Sequence, residues 1–145
     1  MAAQFEEDAR YRMRLARGFL QEAEQVYDLG RWRSCVDNAQ MSVENAARAI
    51  LTLFGPLAKT HELRTHLRNL IEGGRLVGAA TETLKQLIET LDAVGAEKRF
   101  LTRDGDEATY RDPWSLFGEA DARGALEAAW RCASGASRIF EEFPR

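Results

Sequence analysis

Lys98, Arg99, Arg103 and Arg111 gather late in the chain around Tyr110 and Trp114. Guanidinium groups make bidentate contacts to phosphate, and an aromatic ring offers a face on which a nucleobase stacks. Arg99, Arg103, Tyr110 and Arg111 are therefore the candidate nucleotide- or phosphate-binding residues. The same segment holds Asp104, Asp106, Glu107 and Asp112. A competing reading pairs the arginines with those acids and uses Trp114 to plug the end of a helical bundle.

A second basic group comprises Arg10, Arg12, Arg14 and Arg17, followed by Arg31 and Arg33. At about 100° per helical residue, Arg10, Arg14 and Arg17 share one face. Glu6, Glu7 and Glu24 lie close by, so a solvated and partly paired surface competes with a functional stripe. The two histidines, His61 and His66, are five apart and do not make the i, i+4 ligand pair of a helical zinc site. His61 sits where a helix should start, as a surface or capping residue. Gly73-Gly74 lacks the Lys-Ser/Thr of a phosphate loop, and no Glu-x-x-His motif of a di-iron bundle is present. Cys35 and Cys132 have no zinc spacing and fall among apolar residues, which predicts buried, reduced thiols. No catalytic residue, metal site or cofactor is expected.

Net charge is −3 over 145 residues, which argues against nucleic-acid binding by bulk charge alone. The basic residues are nonetheless lopsided, with 17 Arg against three Lys. Arg is the better residue for bidentate phosphate or carboxylate contacts, although base composition or thermal adaptation explains the bias equally simply. The first twenty residues are dense in charge, so no signal peptide is expected, and no apolar run reaches bilayer-spanning length. A cytoplasmic protein follows as the expectation, with no membrane partner.

These residues must be positioned by helices. Phe5, Ala9, Met13, Ala16, Phe19, Leu20, Ala23, Val26 and Tyr27 step by threes and fours and predict a helix over 5–28, stopped by Gly30. Trp32, Cys35, Val36, Ala39, Val43, Ala46, Ala47, Ile50, Leu51 and Phe54 predict a second over 31–54, ended by Gly55-Pro56. A short third helix should follow Thr60 as N-cap, bury Leu63, Leu67, Leu70 and Ile71, and stop at Gly73-Gly74. The fourth, over 81–101, carries Leu84, Leu87, Ile88, Leu91, Val94 and Leu101 and is weakened at Gly95. A polar loop over 102–114 comes next, long for a compact domain. The last helix, over 119–142, should bury Ala122, Ala125, Leu126, Ala129, Trp130, Ala133, Ala136, Ile139 and Phe140. With no strand pattern, this predicts a single all-α domain over 1–145, an up-and-down antiparallel four-helix bundle with a short extra helix.

The second helix carries a family resemblance. Ser42-Val43-Glu44-Asn45-Ala46-Ala47-Arg48-Ala49-Ile50-Leu51, then Gly55, then His61-Glu62-Leu63, is similar to the HEPN pattern. In that family a helix rich in small residues carries a Gln/Ser-x-x-Glu-x-x-x-Lys/Arg-Ala stretch, a short loop follows, and a His-x-Leu opens the next helix. Ala16-x-x-Phe19-Leu20-x-x-Ala23 with Tyr27 and Gly30-Arg31-Trp32 also fits, as do Pro113-Trp114-Ser115-Leu116-Phe117 and Glu119-Ala120-Asp121-Ala122. The resemblance implies an antiparallel four-helix core, commonly a homodimer, associated with nucleotides or RNA and often paired with a minimal nucleotidyltransferase.

Some HEPN proteins are ribonuclease toxins, whose site is an Arg followed after four to six residues by a His. For His61 that Arg would stand at Phe54, Gly55 or Pro56; for His66, at Lys59, Thr60 or His61. Neither window contains Arg. The expectation is a non-catalytic module that binds nucleotide or RNA, or pairs with a nucleotidyltransferase. Two alternatives remain open. One is a toxin–antitoxin component with ribonuclease activity through a degenerate site around Tyr110 and Asp112. The other is a purely structural dimeric interaction module.

Overall fold

The computed structural model describes residues 3–55 and 62–142; the side chains of residues 3, 4 and 94–100 fall outside that description. Six helices follow in order: α1 Ala3–Asp28, α2 Trp32–Leu53, α3 Leu63–Glu72, α4 Ala79–Asp104, α5 Pro113–Leu116 and α6 Glu119–Glu142. The four long ones, α1, α2, α4 and α6, build the bundle. Among the described residues there is no strand, only an isolated bridge between Asp106 and Arg111.

α2 is the hub, packing on each of the other five helices. Its sequence explains why. Ala39, Ala46, Ala47 and Ala49 leave almost nothing standing off the helix surface, so neighbouring backbones approach closely, and all four are buried. Ser42 Oγ donates to the Ala16 carbonyl at 2.7 Å, satisfying its hydroxyl at the α1–α2 seam. Ile50, Met13, Leu67, Leu84 and Leu87 supply the bulk between the layers. On the α4–α6 side, a Cβ at Gly135 would come within 2.7 Å of the Thr83 side chain, so only glycine allows that approach.

α1 stops at Gly30, whose φ of +74° favours glycine. Gly30 N–H donates to Tyr27 O and Arg31 N–H to Val26 O, both at 2.9 Å. This pair of reverse bonds satisfies the last carbonyls and turns the chain into α2. The four long helices and α3 match the expected periodic segments, with three differences. α4 runs unbroken through Gly95 and on to Asp104. α3 begins at Leu63 with Glu62 at the cap position and no side-chain cap bond; Thr60, the expected cap, lies outside the described residues, as do Pro56 and His61. Trp130 is 57% exposed rather than buried. It stands about 100° around α6 from Ala129, on the flank of the apolar stripe.

Both cysteines are free and fully buried. Burial pushes the Cys35 thiol from its ordinary 9.0 to about 11. Burial also raises Cys132, against smaller lowering effects of a hydrogen bond to Thr90 and the charge of Arg131. Both are therefore neutral thiols at pH 7, inert as nucleophiles.

Candidate functional site

The segment joining α4 to α6 is built on a glycine. Gly105 has φ +76° and is buried, and a Cβ there would overlap the Arg111 carbonyl oxygen. Only glycine lets the two limbs of the turn close. Asp106 N–H then donates to Arg111 O at 2.8 Å and Arg111 N–H to Asp106 O at 3.0 Å. The four residues between them form a tight tip. Ala108 N–H is held by Asp106 Oδ1 at 3.1 Å, and Tyr110 takes a left-handed φ of +57°. That conformation is costly for an aromatic residue.

Beyond the tip, Asp112 caps the one-turn helix α5 by accepting from Ser115 N–H at 2.9 Å, with Pro113 at its first position. Pro113 is buried, and α5 packs on α2 and α4. Below it, Arg33 of α2 donates to the Thr102 carbonyl at 2.9 Å, and the Thr102 hydroxyl donates to Asp37 Oδ1 at 3.2 Å. Arg33 Nε is buried without a hydrogen-bond partner among the described residues. Neither link was expected from the sequence; the Arg33–Asp37 spacing of one turn was its only trace. The 102–114 stretch, expected as a polar loop, is thus the end of α4 followed by a hairpin and the start of a helical turn.

On this base the aromatics point outward. Tyr110 is 95% exposed and Trp114 is 73% exposed. Trp114 therefore does not plug the bundle end; buried Pro113 faces inward instead. Exposed Leu29, at the α1–α2 turn, belongs to the same end of the bundle, because α2 opens beside Thr102. Arg111 is exposed, and its backbone closes the hairpin. The Arg103 side chain is 70% exposed, with Nε 3.9 Å from Asp104 Oδ2. Arg99 lies one turn earlier on α4, with its side chain outside the described residues. Two of the competing acids are thus engaged with backbone, Asp106 and Asp112, and one, Asp104, with Arg103.

The other basic group is spread between partners. Arg10 pairs with Glu6 at 2.9 Å, Arg12 donates to Asn45 Oδ1 at 3.2 Å, and Arg17 to Ser137 Oγ at 3.1 Å. Arg31 is exposed, whereas Arg33 has the structural role given above. His66 is exposed on α3. Tyr27, at the end of α1, donates to Glu119 of α6 at 3.3 Å; partial burial first, then the Glu119 charge, raises its hydroxyl above the ordinary 10.0. No group of three or more metal-ligating side chains occurs among the described residues, and no helix there is long and apolar enough to cross a membrane.

Comparison with known proteins gives two findings. The crystal structure of TT1696 from Thermus thermophilus superposes with a TM-score of 0.67, covering 90% of this chain and 96% of that one at 22% identity. At that identity the likeness speaks for the fold. No curated protein is a significant sequence match. The family model for the HEPN domain matches residues 9–139, spanning all four long helices and the hairpin, and the chain therefore belongs to the HEPN domain family.

Proposed function

We propose that this HEPN domain is a non-catalytic binding module that takes a nucleotide or RNA at the hairpin end of the bundle. The observation that carries this reading is Tyr110: an aromatic ring almost wholly in solvent, held there by a left-handed turn, with Arg111 beside it. A ring displayed at such conformational cost is a stacking surface. Arg103 and Arg111 supply charge-assisted contacts to phosphate, with Arg99 behind them on α4. Catalysis is left out because no Arg stands four to six residues before either histidine, so the pair that would move a proton and hold phosphate charge is missing. The expected result is a rise of several degrees in Tm with a nucleoside triphosphate or short RNA at low salt. The rise should vanish in Arg103→Ala plus Arg111→Ala. No shift with any of them would end this reading.

A second reading is favoured by the charge of the same segment. Between residues 103 and 112, four acids outnumber two arginines, and Trp114 and Leu29 stand exposed near them. That mixture of apolar and acidic surface suits a protein partner, such as a nucleotidyltransferase or a second copy in a homodimer. Co-purification with a partner chain that is lost in Trp114→Ala, without any nucleotide effect, would favour it.

A further inference from the structure

We propose that the uncovered flank of α1 joins two copies of this chain about a twofold axis, with Leu15 of each copy packed on Phe19 of the other. α1 carries two apolar stripes. Ala9, Met13, Ala16 and Ala23 are buried in the core. Tyr11, Leu15 and Phe19 run beside them at steps of four, turned by about 100° around the helix axis. Leu15 and Phe19 are partly exposed and stand outside the core cluster, and Tyr11 is 49% exposed. Gly18 adjoins this stripe, with open space where a side chain would stand.

Among the described residues no helix covers the second stripe. α1 packs on α2 and α6 alone. α6 lies against the opposite flank, where Arg17 reaches Ser137. At the α2 edge, Arg12 donates to Asn45 at 3.2 Å and has no carboxylate partner among the described residues. Glu22 is exposed and has no cationic partner among them.

The order of these residues selects a second copy as the occupant. When α1 lies antiparallel on another α1 with Leu15 against the partner's Phe19, Arg12 falls opposite the partner's Glu22. Arg12 and Glu22 each stand just under one turn outside the apolar pair. The twofold axis repeats both contacts and gives an apolar centre closed at each end by opposite charges. The Ser42–Ala16 bond sets Met41 of α2 level with the middle of the stripe. The same axis therefore brings Met41, itself partly exposed, against its own copy. An unrelated partner would not require a pattern that reads the same from both ends. This surface stands on the side of the bundle and does not depend on what the hairpin binds.

The test is sedimentation velocity of the full chain from roughly 1 to about 100 µM, with native mass spectrometry of mixtures. The parent should be a dimer at the upper end. Arg12→Glu and Glu22→Arg each set like charges face to face twice, and each should weaken the dimer by at least about tenfold. Mixed in equal amounts, the two variants should form a heterodimer, because each then meets the opposite charge. Leu15→Ser plus Phe19→Ser should give a monomer that keeps its helical circular dichroism. Trp114→Ala should leave the dimer intact. A parent that stays monomeric, charge variants that dimerise like the parent, or folded variants that fail to pair on mixing would overturn the proposal. So would dissociation by Trp114→Ala, which would put the interface at the hairpin.

Discussion

α2 and the hairpin after α4 are both well fixed, but by different means. α2 is fixed by what surrounds it: small side chains, an Ile50 with no exposed surface, and five neighbouring helices. Fourteen of its 22 residues are buried, and there space dictates the residue type. The hairpin is fixed by its own backbone, through Gly105, the paired Asp106 and Arg111 bonds and the Asp112 cap. Its outward side chains, Tyr110 and Trp114, hold nothing in place among the described residues. In α2 most side chains are enclosed by the bundle; at the hairpin and α5, Tyr110 and Trp114 stand in solvent.

This contrast can be broken from either side. The largest effect should come from Ile50→Ala, which opens a cavity at the hub and should cost about 2–5 kcal/mol in urea denaturation. Gly105→Ala should cost about 1–3 kcal/mol, because it combines a strained φ with an overlap against the Arg111 carbonyl. Its damage should be confined to the hairpin, so NMR shifts should move there and not in α2. A smaller effect concerns pH. Cys35 is held neutral up to about 11 when folded and ionises near 9.0 when unfolded, so the folded chain keeps its proton longer. The stability this gives is fully present below pH 9 and is lost as pH rises through 11. Cys35→Ala should remove that part of the alkaline decline in Tm. The smallest effect should be Tyr110→Gly: relief of the left-handed strain offsets the lost side chain, leaving stability within about 1 kcal/mol of the parent. Loss of ligand binding without loss of stability in that variant would sharpen the contrast most.

The same contrast governs what could be read from the sequence. α1, α2, α4 and α6 were legible because burial against a layer forces apolar residues into steps of three and four. α5 was not, since four residues are too short to show a period. The bridge between Asp106 and Arg111 left no alternation to find. Trp130 was misplaced because it neighbours Ala129 and Ala133 in sequence, while its direction depends on a single step around the helix. Trp114 was read two ways for a related reason. Composition marked the segment as unusual, but whether Pro113 or Trp114 turns inward is decided by the Asp112 cap and the path out of Gly105. The arginines were visible as a group; the bonds of Arg10 to Glu6 and of Arg103 to Asp104 are local in sequence, whereas those of Arg12 to Asn45 and Arg17 to Ser137 depend on tertiary neighbours.

The position of α2 also bears on where the chain can be cut. α6 is held directly by α2, α1 and α4, and the covalent link through the 107–109 tip adds no contact that this packing requires. A protein assembled in this way should survive circular permutation at the tip. Two separately expressed pieces, 1–107 and 108–145, should find each other and rebuild the bundle, because most of the surface that joins them lies on helices rather than across the break.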